Sequence, residues 1–506
     1  MKKLAVAATF CVFLGACGSQ LSPQMSAART YSSSQSSSCG YYPHPCARTD
    51  FANTPAFSVP NVGSLTGANR RFREPLSNEW MTRLTDYNTT GDSKGAGYIT
   101  AASGSAEQTL MDISDHYIVI QSQNAAVIPF TWNPVTMQAQ RMFVSQYPST
   151  NGIELPSGTP EFSRVKSGLM YAMQNTGDWN ASTPVIVSYD LTSATPPTAT
   201  TVYNFQSCGS IGSQLAGHTQ WTNDVTVSAN DAVFTTAVST TGDQGTGVYV
   251  LSWSTSGGCH WYNTSTGQTD VGPVQMTGSE SNPDLFYIHN VRMGPGGWVK
   301  IDRQSCINSC ESDETMYLWQ PGTDQVSTTA TSGHQAIGYN NYAINDGYQG
   351  TYGCLYPQCM NRAPVTNPSE MTELWKNGPG TPPGWPQNPV WDCHLSWSND
   401  KSSDTMPFIS SSMSNQETPT LAWQNEIDGF TTDGSGKVYR FARHYNTENS
   451  AATFNALDAI GSVSEDGRWY LITSDWGCTL GSASGGSTGT QSPYNCRSDV
   501  FVLQLR

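Results

Sequence analysis

The stretch His394-Leu-Ser-Trp-Ser-Asn-Asp400 echoes His218-Thr-Gln-Trp-Thr-Asn-Asp224, which lies 176 positions earlier (394 minus 218). A looser copy runs His334-Gln-Ala-Ile337-Gly-Tyr-Asn340, and Leu457-Asp-Ala-Ile460-Gly461 shares its Ala-Ile-Gly core without the histidine. One short strand-forming pattern is reused along the chain. Recurrence of a strand-rich unit every few tens of residues predicts a repeat architecture, and for such units the expected outcome is a propeller.

Composition agrees with an all-β fold. Only 12% of the 506 residues are charged, while 46 Gly, 29 Pro, 15 Trp and 23 Tyr supply turn formers and β-favouring aromatics. The formal net charge is −15, and the 24 lysines and arginines read as dispersed, which argues against nucleic acid as a partner.

The N-terminus gives a cellular address. Met1-Lys-Lys3 precedes an apolar run from Leu4 to Leu14, and Leu14-Gly15-Ala16-Cys17 resembles the bacterial lipobox, whose cysteine carries the lipid after cleavage. Residues 1–17 therefore read as a lipoprotein signal peptide, with Cys17 as the lipidation site. Gly18, with no Asp following, is compatible with outer-membrane sorting, so the expected location is the bacterial outer membrane or cell surface. Loss of Lys2 and Lys3 would leave a mature chain at −17 (22 minus 39). No later stretch is apolar enough to cross a bilayer, so the membrane is met through the lipid alone. Residues 18–69 are Ser-rich and read as a flexible tether, and 70–506 as the propeller.

Beyond Cys11 and Cys17 there are eleven cysteines, and an exported chain with that many is expected to form disulfides. Spacing suggests Cys39 with Cys46, Cys208 with Cys259, Cys306 with Cys310, Cys354 with Cys359, and Cys478 with Cys496, which leaves Cys393 over. Zinc ligation is the lesser reading, because the close spacings miss the usual C-x-x-C.

Seven units of short strands can be read. They run over about 106–147 and 158–206, then from His218, through Tyr287 to Trp319, from His334, from His394, and from Asp458 to Leu505. The last unit has three strands, whereas Trp80–Asp86 is a strand without a unit. Pairing the two would close the ring and remove an open sheet edge, so the N-terminal strand is expected to complete the seventh blade.

Ser464-Glu-Asp466-Gly467-Arg468-Trp469 resembles the S-x-D-G-[KR] hairpin of TolB-like propellers, and H-x-x-W-S-N-D resembles another form of the same repeat. Asp and Gly suit the tight turn between two strands of a blade. Lys401 and Val225 stand where the turn glycine belongs, which loosens the register of those copies. Related propellers include the oligogalacturonate lyases, which carry repeated H-x-x-x-S motifs, some of whose histidines hold a divalent metal, and the resemblance implies a candidate site of that type here.

The first strand of each propeller blade faces the central channel, so His218, His334 and His394, with His289 between them, are candidate ligands for Mn, Zn, Ni or Fe. The alternative is that each histidine bonds backbone between blades. Arg292, Lys300 and Tyr339 are candidates at the channel mouth, where a lyase would need a base and a cation to neutralise a uronate. Trp385 and Trp391, on the Pro-rich stretch before His394, are candidate sugar-stacking residues or else pack their own blade. Asp428-Gly-Phe-Thr-Thr-Asp433-Gly-Ser-Gly436 reads as a calcium (Ca) loop or, more simply, a polar hairpin. The function expected is binding of a glycan or envelope protein at the channel face. A metal-dependent polysaccharide lyase or other carbohydrate-active enzyme, and an envelope scaffold, are the alternatives.

Overall fold

The computed structural model describes residues 47–50, 68–74, 77–86, 89, 99–100, 108–122, 126–143, 153–154, 160–178, 181–216, 225–239, 247–277, 285–307, 316–329, 334–346, 359–374, 392–413, 423–446, 459–481 and 496–506. They form seven antiparallel-based sheets whose innermost strands are Ile99–Thr100, Glu161–Phe162, Thr226–Val227, Phe286–Met293, Gln335–Ile337, Asp392–Ser396 and Gly461–Val463, and Gln275–Thr277 adds a parallel outer strand to the fourth. We number the blades 1 to 7 in that order. In blade 1 the innermost edge continues as far as Met111, which bridges Ile118.

Six hydrophobic clusters fill the seams. One joins blades 7, 1 and 2, and the others join 2 with 3, 3 with 4, 4 with 5, 5 with 6, and 6 with 7. A blade covered on both faces needs apolar side chains on both, so its strands read as continuous hydrophobic runs. The strand Trp469–Ser474 is buried throughout and divides its side chains by period two. Trp469 and Leu471 face blade 1, whereas Tyr470 and Ile472 face blade 6.

The ring closes where the repeat count required. Met81 pairs with Leu503, Thr82 with Val502 and Arg83 with Phe501, so Trp80–Arg83 supplies the fourth strand of blade 7. Arg70–Arg73 adds a fifth strand outside it, which the repeat pattern did not assign. A buried polar lock secures the junction: Asp499 accepts from Arg83, Arg497 and the Thr85 hydroxyl. Burial alone would raise the Asp499 carboxyl, but the two guanidiniums bring it below its ordinary range. These seven four- and five-stranded sheets, closed by an N-terminal strand, are a seven-bladed β-propeller.

The folded unit extends into the stretch expected to be a tether. Arg48 exchanges backbone hydrogen bonds with Arg440 on the outer strand of blade 6, and Asn69 bonds Ala139 of blade 1. Cys208 is bridged to Cys259 and Cys478 to Cys496. Cys306 is also disulfide-bonded, Cys393 carries a buried thiol, and Cys17, Cys39, Cys46, Cys310 and Cys354 lie outside the described residues.

Candidate functional site at the central channel

Antiparallel order gives the ring two unlike faces. The first two strands of each blade are joined on the hairpin face, and the longer connections between blades leave from the opposite, loop face. On the hairpin face the resemblance to an S-x-D-G turn is realised in full in blade 7. Ser464 Oγ donates to Asp466 and accepts from the Trp469 amide, Arg468 N–H donates to Asp466, and Gly467 takes a φ of 72°.

Other blades put aspartate where blade 7 has the left-handed glycine. Asp115, Asp231 and Asp404 have φ of 56°, 54° and 54°, a conformation that Asp tolerates better than most residues. Each reaches back to the preceding blade. Asp231 accepts from the Arg164 amide and the Tyr171 hydroxyl of blade 2, and from Ser163. Asp404 accepts from the Tyr339 and Asn340 amides and from Asn341 of blade 5. Asp115 takes the Trp469 indole N–H of blade 7 at 2.9 Å and is paired with Arg468. Burial and the neighbouring Asp466 push the Asp115 carboxyl up to about 7, against the opposing pull of Arg468.

The channel is bridged across its width just inside this face. Arg164 leaves blade 2, pairs with Glu161 at 2.9 Å and donates to the Ser398 carbonyl of blade 6 at 3.1 Å. Lys401 of blade 6 returns the link by donating to the Arg164 carbonyl at 2.7 Å, and it also pairs with Glu465 of blade 7. Burial raises the Glu161 carboxyl despite Arg164, the Thr109 amide and Arg292. A crevice among Glu161, Arg164, Thr226, Arg292, Ile337 and Trp397 has room for about one water molecule.

Toward the loop face, His334 and His394 stand side by side on blades 5 and 6, with ring centroids 4.4 Å apart and planes at 30°. Both occupy the fourth position before the first turn residue, Gly338 and Ser398 respectively. The same count gives Asn290 in blade 4, so His289 is out of register by one, and its side chain is exposed. His218 lies outside the described residues. Its motif partner His394 stands within the innermost strand of blade 6. Among the described residues no third donor gathers with the two histidines. The one group of three is Asp475, Cys478 and Cys496, whose two sulfurs bond each other. Two imidazoles alone are one fewer than the three protein ligands of a catalytic zinc site.

The remaining candidates are dispersed. Arg292 is buried beside the crevice, on the hairpin side of the channel. Lys300 is fully buried, paired with Asp302 and donating to the Gln335 carbonyl across the seam between blades 4 and 5. Tyr339 is a turn residue whose amide Asp404 holds. The Asp428–Gly436 stretch is the polar hairpin, closed by Thr431 and Lys437, with Asp433 accepting from the Ser435 amide. Trp385 and Trp391 lie outside the described residues. Glu161, Arg164 and Lys401, which bridge the channel, were not anticipated. Their one sequence signal is that Ser163-Arg164 and Ser398-Asn-Asp-Lys401 align with the turn at Ser464.

No protein-family profile and no curated protein matches the chain. Among solved structures, an oligogalacturonate lyase in complex with manganese aligns over 91% of this chain and 99% of its own, at 9% identity and a TM-score of 0.47. An oligogalacturonate lyase from Vibrio parahaemolyticus covers 87% and 97% at 9% identity and 0.43, and the RRP9 WD40 repeats cover 81% and 98% at 9% identity and 0.38. Likeness at this level assigns no residue a role.

Proposed function

We propose that this is an exported bacterial lipoprotein, anchored through Cys17 at the outer membrane or cell surface, whose propeller binds a glycan or envelope protein over the loop face of its channel. The observation that carries this reading is the bridging of the channel by Arg164 and Lys401. A ligand cannot thread a channel tied across at one end, so the loop face is the side left for recognition, and propeller loops are where ligands are met. Trp385 and Trp391 fall in the sequence between the strands Thr372–Glu373 of blade 5 and Asp392–Ser396 of blade 6. Indoles there suit sugar stacking.

The test is a glycan array probed with residues 18–506, beside a Trp385→Ala/Trp391→Ala variant and a Lys166→Ala control on the hairpin face. Binding lost in the first and kept in the second is the expected result. Binding that survives loss of both indoles removes the assignment of the loop face.

The adjacency of His334 and His394 favours a second reading, a metal-dependent enzyme on acidic polysaccharide. His218 would complete the ligand set, and a divalent ion such as manganese would neutralise a uronate carboxylate. Elemental analysis of the purified chain beside a His218→Ala/His334→Ala/His394→Ala variant decides it. Near-stoichiometric metal lost in the variant sustains the enzyme, and absence of metal from the wild-type chain removes it.

A further inference from the structure

The outermost strand of blade 7 reads Arg70-Arg-Phe-Arg73 and is the densest run of positive charge in a chain whose net charge is −15. This local concentration departs from the dispersed pattern inferred from the sequence. All three arginines are exposed, and the sheet ends at this strand. The guanidinium carbons of Arg71 and Arg73 both lie 3.8 Å from the centroid of Trp80, one strand inward. Both stack on the one indole although like charges repel. Arg73 donates to the Asn78 carbonyl, and no carboxylate among the described residues pairs with either guanidinium. Each exposed guanidinium is a fork of donors of the kind an oxyanion fills in bidentate fashion. Val135, 83% exposed, stands on the adjoining turn of blade 1, next to the Met137 carbonyl that accepts from Thr82.

We propose that this strand is a docking surface for the phosphate headgroups of an anionic bilayer, and that it holds the propeller edge-on to the membrane. Ala47 and Phe72 pack on the same cluster between blades 6 and 7, so the first described residues of the chain lie beside this rim. Arginine, tryptophan and an exposed valine are the residues that favour a membrane interface. The chain as a whole carries a net charge of −15, so attraction confined to one rim orients the molecule. Docked this way, the channel axis runs along the membrane plane and the loop face opens sideways. The proposal rests on the envelope-anchored reading above, but its test does not depend on the lipid.

Unlipidated residues 18–506, which include every described element, are floated with vesicles of phosphatidylglycerol and phosphatidylcholine and with vesicles of phosphatidylcholine alone. Binding to the anionic vesicles only, abolished by high salt, is expected. An Arg71→Ala/Arg73→Ala variant should bind them roughly thirtyfold more weakly, at about 1 kcal/mol per basic residue near the surface. Unchanged thermal unfolding of the variant separates lost docking from lost folding. Equal binding to both vesicle types, or wild-type affinity in the variant, overturns the proposal. So does tighter capture of polyglutamate than of vesicles, which would make the strand a site for acidic peptides. Palmitate labelling at Cys17 in cells tests the anchor separately, so either idea can fail alone.

Discussion

The hairpin face and the loop face of this ring are made from the same seven strand pairs, yet they are fastened by different chemistry. On the hairpin face the turns are short, and at three seams a left-handed aspartate reaches into the preceding blade. On the loop face the chain travels from Asn204 to Thr226, from Glu373 to Asp392 and from Ser474 to Asp499 between strands, and a disulfide, Cys478–Cys496, fastens the last of these. Short turns bridged by carboxylates allow little variation. Long connections tied by a covalent bond allow a great deal. The contrast teaches that a propeller can assign stability to one face and recognition to the other.

Substitutions can break that division. The largest effect should come from Asp404→Ala, which strips a buried acceptor from two amides and a side-chain amide and should cost about 3 kcal/mol. Urea unfolding measures it, and a loss below about 1 kcal/mol would mean that the hairpin face does not carry the load. Opening Cys478–Cys496 by a double Cys→Ala variant should cost a similar or slightly smaller amount, about 3 kcal/mol for its 18-residue separation. A cost near zero would show that the loop-face bridge is dispensable for folding.

Next comes pH. The folded value of Asp115 is raised from 3.8 to about 7, so its contribution is most favourable below pH 4 and is lost as pH rises through 7. Asp115→Asn should flatten the thermal stability profile between pH 4 and 8, and an unchanged slope would assign the titration elsewhere. Gly467→Ala places a side chain at a φ of 72° and should cost about 1 kcal/mol. Smallest of all in stability should be His334→Ala with His394→Ala, within about 1 kcal/mol, while loop-face ligand or metal binding is lost. If the histidine pair instead destabilises the ring as much as Asp404→Ala does, the two faces are not divided in the way described.

The sequence carried the fold well because ring closure is a counting problem. A three-stranded last unit and an orphan Trp80–Asp86 strand have one economical solution, and the pairing of Met81 with Leu503 is that solution. The site was less legible. His334 and His394 stand side by side, whereas His289 falls one position out of register with them and is exposed. Arg164 and Lys401 were hidden for another reason. Each sits at a turn position that other blades fill with polar residues of no special role, and only the curvature of the ring brings blade 2 opposite blade 6.

The strand that closes the ring has a consequence in time. A chain is made from its N-terminus, so Trp80–Arg83 is complete 422 residues (503 minus 81) before Leu503 exists to pair with Met81. At roughly 5 to 20 residues per second that delay is about 20 to 80 seconds. Throughout it, the inner edge of this strand exposes an unpaired ladder beside hydrophobic surface. Until then the inner edge of the closing strand has nothing in blade 7 to pair with.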